Sequence, residues 1–154
     1  MAKRDLKFFM RSHEQEIVTA PAPESFKDDD GNVIDLEIRV LSNKEIQDIN
    51  NKYRRRSIAT DKKGNPLVAN GEVIWKTEKD NARATRHIIV EALQYPDLKD
   101  KELMDFYKCV DVTEMPTLVF SKADEYAHVS RAVLTALGII DEPEDSTLVE
   151  DAKN

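Results

Sequence analysis

Hydrophobic and polar positions change their period early in the chain. Over 33–41, VIDLEIRVL, they alternate. Ile34, Leu36, Ile38 and Val40 fall on one side, and Asp35, Glu37 and Arg39 on the other. Successive side chains of a strand point to opposite faces, so this stretch reads as a half-buried strand. After Ser42 the apolar spacing lengthens to three and four at Ile46, Ile49 and Tyr53, which predicts a helix over 43–57. Ser42 followed by Glu45 is a capping-box signature at its start. The three arginines of YRRRS fall where the negative end of the helix dipole lies. Upstream, EQEIVTA (14–20) is compatible with a strand. PAPESFKDDDGN (21–32) is turn chemistry. Residues 1–12 carry Leu6, Phe8, Phe9 and Met10, either as apolar contacts of one or two helical turns or as an arm.

Residues 58–76 read as a loop with a short hairpin, strands falling within 66–76. Asn70-Gly71 between PLVA and EVIW is its strongest turn signal. Thr77 with Asp80 resembles a helix cap, and a helix is predicted over 78–94. Ala82, Ile89, Ala92 and Leu93 share its apolar face, with Ile88 beside it and Pro96 at its end. A shorter helix, about 100–109, carries Leu103, Phe106, Tyr107 and Val110. The last helical region spans 116–137. Pro116 opens it, and its main part from about 123 shows Tyr126, Val129, Val133, Ala136/Leu137 and Ile140 at helical spacing. Gly138 is placed to stop it. Residues 141–154, DEPEDSTLVEDAKN, are acidic and poor in large apolar groups, so a disordered tail is expected. The expected architecture is α+β and mostly helical, a small N-terminal sheet or hairpin followed by a C-terminal helical half. It forms a single globular domain over 1–140.

Composition narrows the function. The 154 residues are 34% charged and 40% hydrophobic, with a net charge of −7. That balance suits one soluble domain with a real core. The negative charge argues against a dedicated nucleic-acid binder, which needs cations to displace condensed counterions. A single cysteine, Cys109, forms no internal disulfide and fits a reducing interior. No signal-peptide run opens the chain, and no stretch approaches the roughly 20 apolar residues of a membrane span. A cytoplasmic protein is expected.

Candidate chemistry is sparse. Cys109 as a nucleophile needs a base, and His13, His87 and His128 all lie far away in sequence. Its place beside Val110 suits a small buried hydrophobe better. DDDGN at 28–32 invites a calcium loop, but counting from Asp28 the sixth and twelfth positions hold Val33 and Arg39, where glycine and glutamate are required. Metal-ligand spacings and glycine-rich phosphate loops are absent from the sequence. No catalytic, cofactor-binding or metal-binding residue is assigned. YRRRS, with Lys62 and Lys63, reads as a solvated helix end or as an ion-pairing strip for an acidic partner. Trp75, Leu118, Val119, Phe120 and Tyr126 remain as apolar residues that serve the core or a partner groove. Leu118, Val119, Phe120 and Tyr126 are the partner-binding candidates.

The order of segments adds a resemblance. LEIRVLSNKEIQDI is a strand leading into a capped helix. HIIVEALQYPDLKDKELMDFY is an aliphatic helix ending in a proline turn, and EMPTLVFSKADEYAHVSRAVLTALGI is a two-part helix. Over roughly 33–140 this order is similar to the tail assembly chaperones of contractile-tailed phages and of defective prophages in Gram-positive bacteria. The resemblance implies a non-enzymatic protein of the host cytoplasm. It would bind the tape measure protein, with the tail-tube protein as a further partner, keep the tape measure soluble during tail morphogenesis, and be absent from the finished virion. It also implies a longer product made by ribosomal frameshifting. Ala152-Lys153-Asn154 is compatible with the slippery heptamer A-AAA-AAC. The alternatives are another protein-binding adaptor or regulatory module, and a small enzyme whose cleft gathers Cys109 with His87 or His128. The apolar spacing of 126–140 suits intramolecular packing or a dimer seam.

Overall fold

Alternation over 33–41 produces the central strand of the main sheet. In the computed structural model, which describes residues 3–140, β1 (Ile17–Pro21) and β2 (Asp35–Arg39) form an antiparallel hairpin. Ile17 stands opposite Arg39 and Pro21 opposite Asp35. Leu36 and Ile38 point inward and are fully buried, while Asp35, Glu37 and Arg39 face out. The third strand, β7 (Leu93–Tyr95), arrives from much later in the chain and pairs antiparallel with β2 through a register shift between Glu37 and Ile38. Such a shift bends the strand locally.

Helices cover the inner face of this sheet. α1 (Asn43–Lys52) starts where Ser42 Oγ accepts the Glu45 backbone N–H, as its cap signature predicts. α2 (Asn81–Ala92) starts where Asp80 accepts from the Arg83 N–H. It is the central helix, burying Ala84, Ile88, Ile89, Val90 and Ala92. α3 (Lys101–Phe106), α4 (Met115–Val119) and α5 (Ala123–Ala136) complete the body. Met115, Phe120, Val129 and Val133 close the core over Leu36, Ile38 and Ile89. Gly138 adopts a left-handed φ of 75°, the conformation expected of a helix-stopping glycine. The acidic stretch 141–154 and its frameshift residues lie outside the described residues.

The expected mostly helical architecture with a helical C-terminal half is wrong. Helix accounts for 39% and strand for 22%, with several sheets spread along the chain. The helix predicted over 43–57 ends at Lys52, after two asparagines of low helix propensity. The arginines then form β3 (Arg54–Ile58), which pairs antiparallel with β6 (Trp75–Lys79). Thr77 therefore lies in a strand, and α2 begins later than 78. At the tip of this arm β4 (Val68–Ala69) and β5 (Glu72–Val73) flank Asn70-Gly71, both with positive φ, as the turn signal predicts.

Leu6–Phe9 form a 3₁₀ turn capped by Asp5, and Leu6, Phe8, Phe9 and Met10 are all exposed, which fits the arm among the two readings of 1–12. A second apolar face differs from expectation. α3 ends at Phe106, and Lys108 takes a left-handed φ of 51°. The chain reverses there, so Val110 is 95% exposed and Phe106 76%, while Leu103 and Tyr107 pack inward.

Candidate functional site

Five separated segments meet around an apolar cleft of about 220 Å³. The loop after β1 supplies Ala22 and Phe26. β2 and the residue before it supply Leu36 and Ile34. Tyr95 and Pro96 follow from the end of β7, Leu103 and Tyr107 come from α3, and Val119 and Phe120 close the far wall at the end of α4. Phe26 meets Phe120 edge-to-face, with ring centroids 5.3 Å apart. Such a pair favours the positive ring edge against the negative ring face. Tyr95 is half exposed at the rim, and the exposed ring of Phe106 packs edge-on against Tyr107 at 4.9 Å.

Of the four predicted partner-binding residues, the structure brings two to this cleft. Val119 lines it half-buried, and Phe120 forms its floor at 2% exposure. Leu118 and Tyr126 pack against the core instead. Burial raises the Tyr126 hydroxyl above its ordinary pKa. Phe26, Tyr95, Leu103 and Tyr107 were not singled out as partner contacts from the sequence. They lie on three segments whose meeting depends on β7 joining the N-terminal hairpin. Trp75 stands on β6, away from this cleft and half exposed.

The lining favours burial of an apolar group over chemistry. Its volume lies below the roughly 300–1,000 Å³ of small-molecule sites and suits one large apolar side chain. Cys109 donates its thiol to the Asp111 carbonyl, Sγ to O 3.0 Å. Burial, then Glu114 and Asp111, push that thiol above its ordinary pKa, away from a nucleophilic thiolate. His87 Nδ1 is hydrogen-bonded with the Tyr53 hydroxyl, and its Nε2 lies 3.6 Å from Glu91. His128 Nε2 lies 2.8 Å from the Pro21 carbonyl. Cys109 and these imidazoles thus have separate partners. Among the described residues no three His, Cys, Asp or Glu side chains gather as a metal site, and no helix is long and apolar enough to cross a membrane. A second and larger groove, about 640 Å³, runs between β1 and α5, where His128, Arg131 and Thr135 stand among Val18, Ala20, Pro21, Ala132 and Ala136.

Comparison with known proteins decides the family. The family model described as phage XkdN-like tail assembly chaperone protein matches residues 6–153. The chain belongs to this tail assembly chaperone family. It is 30% identical over 152 residues to the phage-like element PBSX protein XkdN of Bacillus subtilis strain 168, covering 97% of this chain and 94% of that protein. It is 32% identical to YqbN of the same organism, covering 97% and 93%. The crystal structure of YqbN superposes with a TM-score of 0.67 at 26% identity, covering 89% of this chain and 98% of that one. Membership of the tail assembly chaperone family implies a protein partner and a non-enzymatic role.

Proposed function

We propose that this tail assembly chaperone binds the tape measure protein and keeps it soluble until tail-tube subunits polymerise around it. The cleft carries the reading: an apolar hollow whose floor is Phe120 and whose walls include Val119, Leu103 and Tyr107. A long helical protein exposes an apolar stripe that self-associates in water. One stripe residue seated in the cleft, with neighbours resting on Tyr95 and Phe106, would bury that stripe, and a body of net negative charge would add solubility. Seating one side chain gives a modest affinity, which suits a chaperone that must later release its client. In this reading Leu118 and Tyr126 support the cleft from behind. The protein acts in the host cytoplasm without catalysis and is left out of the finished particle.

Co-expression of the chain with the tape measure protein of its own phage or prophage tests this. The wild-type chain should hold the tape measure in the soluble fraction and co-purify with it. Val119→Glu places a carboxylate in the cleft mouth. It should retain wild-type circular dichroism yet leave the tape measure in the pellet. Equal solubility of the tape measure with the wild-type chain, with Val119→Glu and with no chaperone overturns the proposal.

A further inference from the structure

The main sheet is open along β1. Its strand order is β1-β2-β7, so β1 is paired on one side, and among the described residues no strand or bridge meets its other edge. The Val40 N–H donates to the Glu16 carbonyl at 2.9 Å, and the Ala22 N–H to the Ile34 carbonyl at 2.8 Å. In an antiparallel pair every second residue bonds to the neighbouring strand. With Ile17 opposite Arg39 and Pro21 opposite Asp35, Val18 and Ala20 therefore bond to β2. Ile17 and Thr19 turn their N–H and C=O groups to the open edge, and both residues are exposed. Pro21 ends that edge: it has no N–H, and His128 Nε2 lies 2.8 Å from its carbonyl.

The groove between β1 and α5 lies along this edge. An unpaired edge beside a helix is the geometry that accepts an extended peptide as a further strand, about 4.8 Å from its neighbour. Ile17 and Thr19 each offer such a strand one donor and one acceptor. Val18 and Ala20 share the inward face of Ile38 and Leu36, so alternate side chains of an added strand turn inward with them, toward α5. There they meet Ala132 and Ala136, whose short side chains leave room, and Arg131 and Thr135. Among the described residues Arg131 is in no salt bridge, and the buried Thr135 Oγ1 has no hydrogen-bond partner. A guanidinium and a hydroxyl in this position match a carboxylate. The strand of a second copy brings none, since Ile17–Pro21 reads IVTAP, and two bodies of net charge −7 repel. We propose that the β1 edge takes an extended segment of another protein as the fourth strand of the three-stranded sheet. That segment carries one carboxylate and one small apolar side chain at alternate positions facing α5. The docking place is separate from the cleft at Phe120, since no residue lines both.

The probe is a fluorescently labelled, capped peptide, Thr-Glu-Thr-Val-Thr, titrated with the full-length chain and read by anisotropy. Its Glu and Val are the alternate residues that face α5. A Thr-Lys-Thr-Val-Thr peptide should bind about tenfold more weakly, because it sets a cation against Arg131. N-methylation of the middle Thr of the first peptide removes a main-chain donor, leaves every side chain in place, and should also cost about tenfold. In the protein, Thr19→Pro removes an N–H that β2 does not use. It should keep the wild-type circular dichroism and bind the first peptide about tenfold more weakly. Arg131→Gln should bind the Glu and Lys peptides alike. Equal affinity for the plain and N-methylated peptides overturns the proposal, and that result stands whether or not the Thr19→Pro chain folds. Absence of binding up to about 1 mM overturns it too. So does a wild-type dimer in sedimentation that Thr19→Pro abolishes, which assigns the edge to a second copy. An undiminished preference for the Glu peptide in Arg131→Gln overturns the carboxylate assignment.

Discussion

Replacing Phe120 with alanine tests how the core and the cleft share one residue. Phe120 is 2% exposed, among the largest fully buried side chains, and meets Phe26 edge-to-face. Removing a buried phenylalanine costs about 3–5 kcal/mol, through lost transfer free energy and the void left behind. Here one side of the new void opens on the existing cleft, where half-buried Val119 and Leu103 can shift inward. The lower part of that range, about 3 kcal/mol, is therefore expected. Against a typical total of about 5–15 kcal/mol this is a large fraction. Urea denaturation followed by far-ultraviolet circular dichroism should show a lower midpoint at unchanged slope, since the surface exposed on unfolding hardly alters. A cycle with Phe26→Ala isolates the ring contact, whose coupling should be about 0.5–1.5 kcal/mol. A Phe120→Ala loss below about 1 kcal/mol would refute the placement of Phe120 in the core. A full loss with no coupling to Phe26 would leave that placement standing and refute the edge-to-face contact.

Three further outcomes follow from single groups. Burial holds His87 below its ordinary pKa, outweighing the raising effect of Glu91. The unfolded chain therefore binds the His87 proton more readily, and stability should fall as pH drops below about 6.5, toward the folded value. Melting temperatures of wild type and His87→Gln between about pH 5 and 7.5 should show a shallower slope in the variant. Cys109, with its thiol raised by burial and two carboxylates, should react with iodoacetamide at least several-fold more slowly than glutathione at neutral pH, and match it once unfolded in urea. Glu125 is buried and accepts from Ser25 Oγ at 2.8 Å and from the Lys122 N–H at 3.2 Å. Glu125→Ala leaves both donors without this partner and should cost about 1–3 kcal/mol by urea denaturation.

The features legible in the sequence are those whose cause is local. β2 shows in its alternation because one of its faces is buried along its whole length, as Leu36 and Ile38 demonstrate. The Ser42 cap and the Asn70-Gly71 turn are visible because one side chain or one backbone conformation produces each, whereas the cap read at Thr77 falls in β6 and Asp80 is the residue that caps α2. The arginine strand is invisible for the opposite reason. Arg54, Arg55 and Arg56 have no apolar alternation, and what makes them a strand is a partner about twenty residues later. The same cause hides the cleft. Val119 and Phe120 could be named from their local apolar run, but Phe26, Tyr95, Leu103 and Tyr107 share no periodicity with them. They converge only because β7 returns to pair with β2.

Because the arm is built from long-range pairing with itself, the body should fold without it. β3 and β6 pair with each other, and β6 is exposed at every position. At the foot, the Asp80 N–H donates to the Tyr53 carbonyl at 3.0 Å, so the two chain ends already lie side by side. Tyr53 is held there by His87 and by the Arg83 guanidinium over its ring, both contributed by α2. Replacing residues 54–79 by Asn-Gly closes this gap with a two-residue hairpin turn. A 26-residue segment becomes a two-residue one, so the loop-closure entropy shifts in favour of the folded body by at most a few kcal/mol. The excised protein should keep its helical circular dichroism and melt within a few degrees of the parent or above it. The hairpin would then be an element kept for contact with another chain segment, since it contributes little to the core. Collapse of the melting transition on excision would refute this division and make the arm part of the folding unit. Retention of the fold together with undiminished solubilisation of the tape measure would instead place client binding on the cleft side alone, as Val119 and Phe120 require.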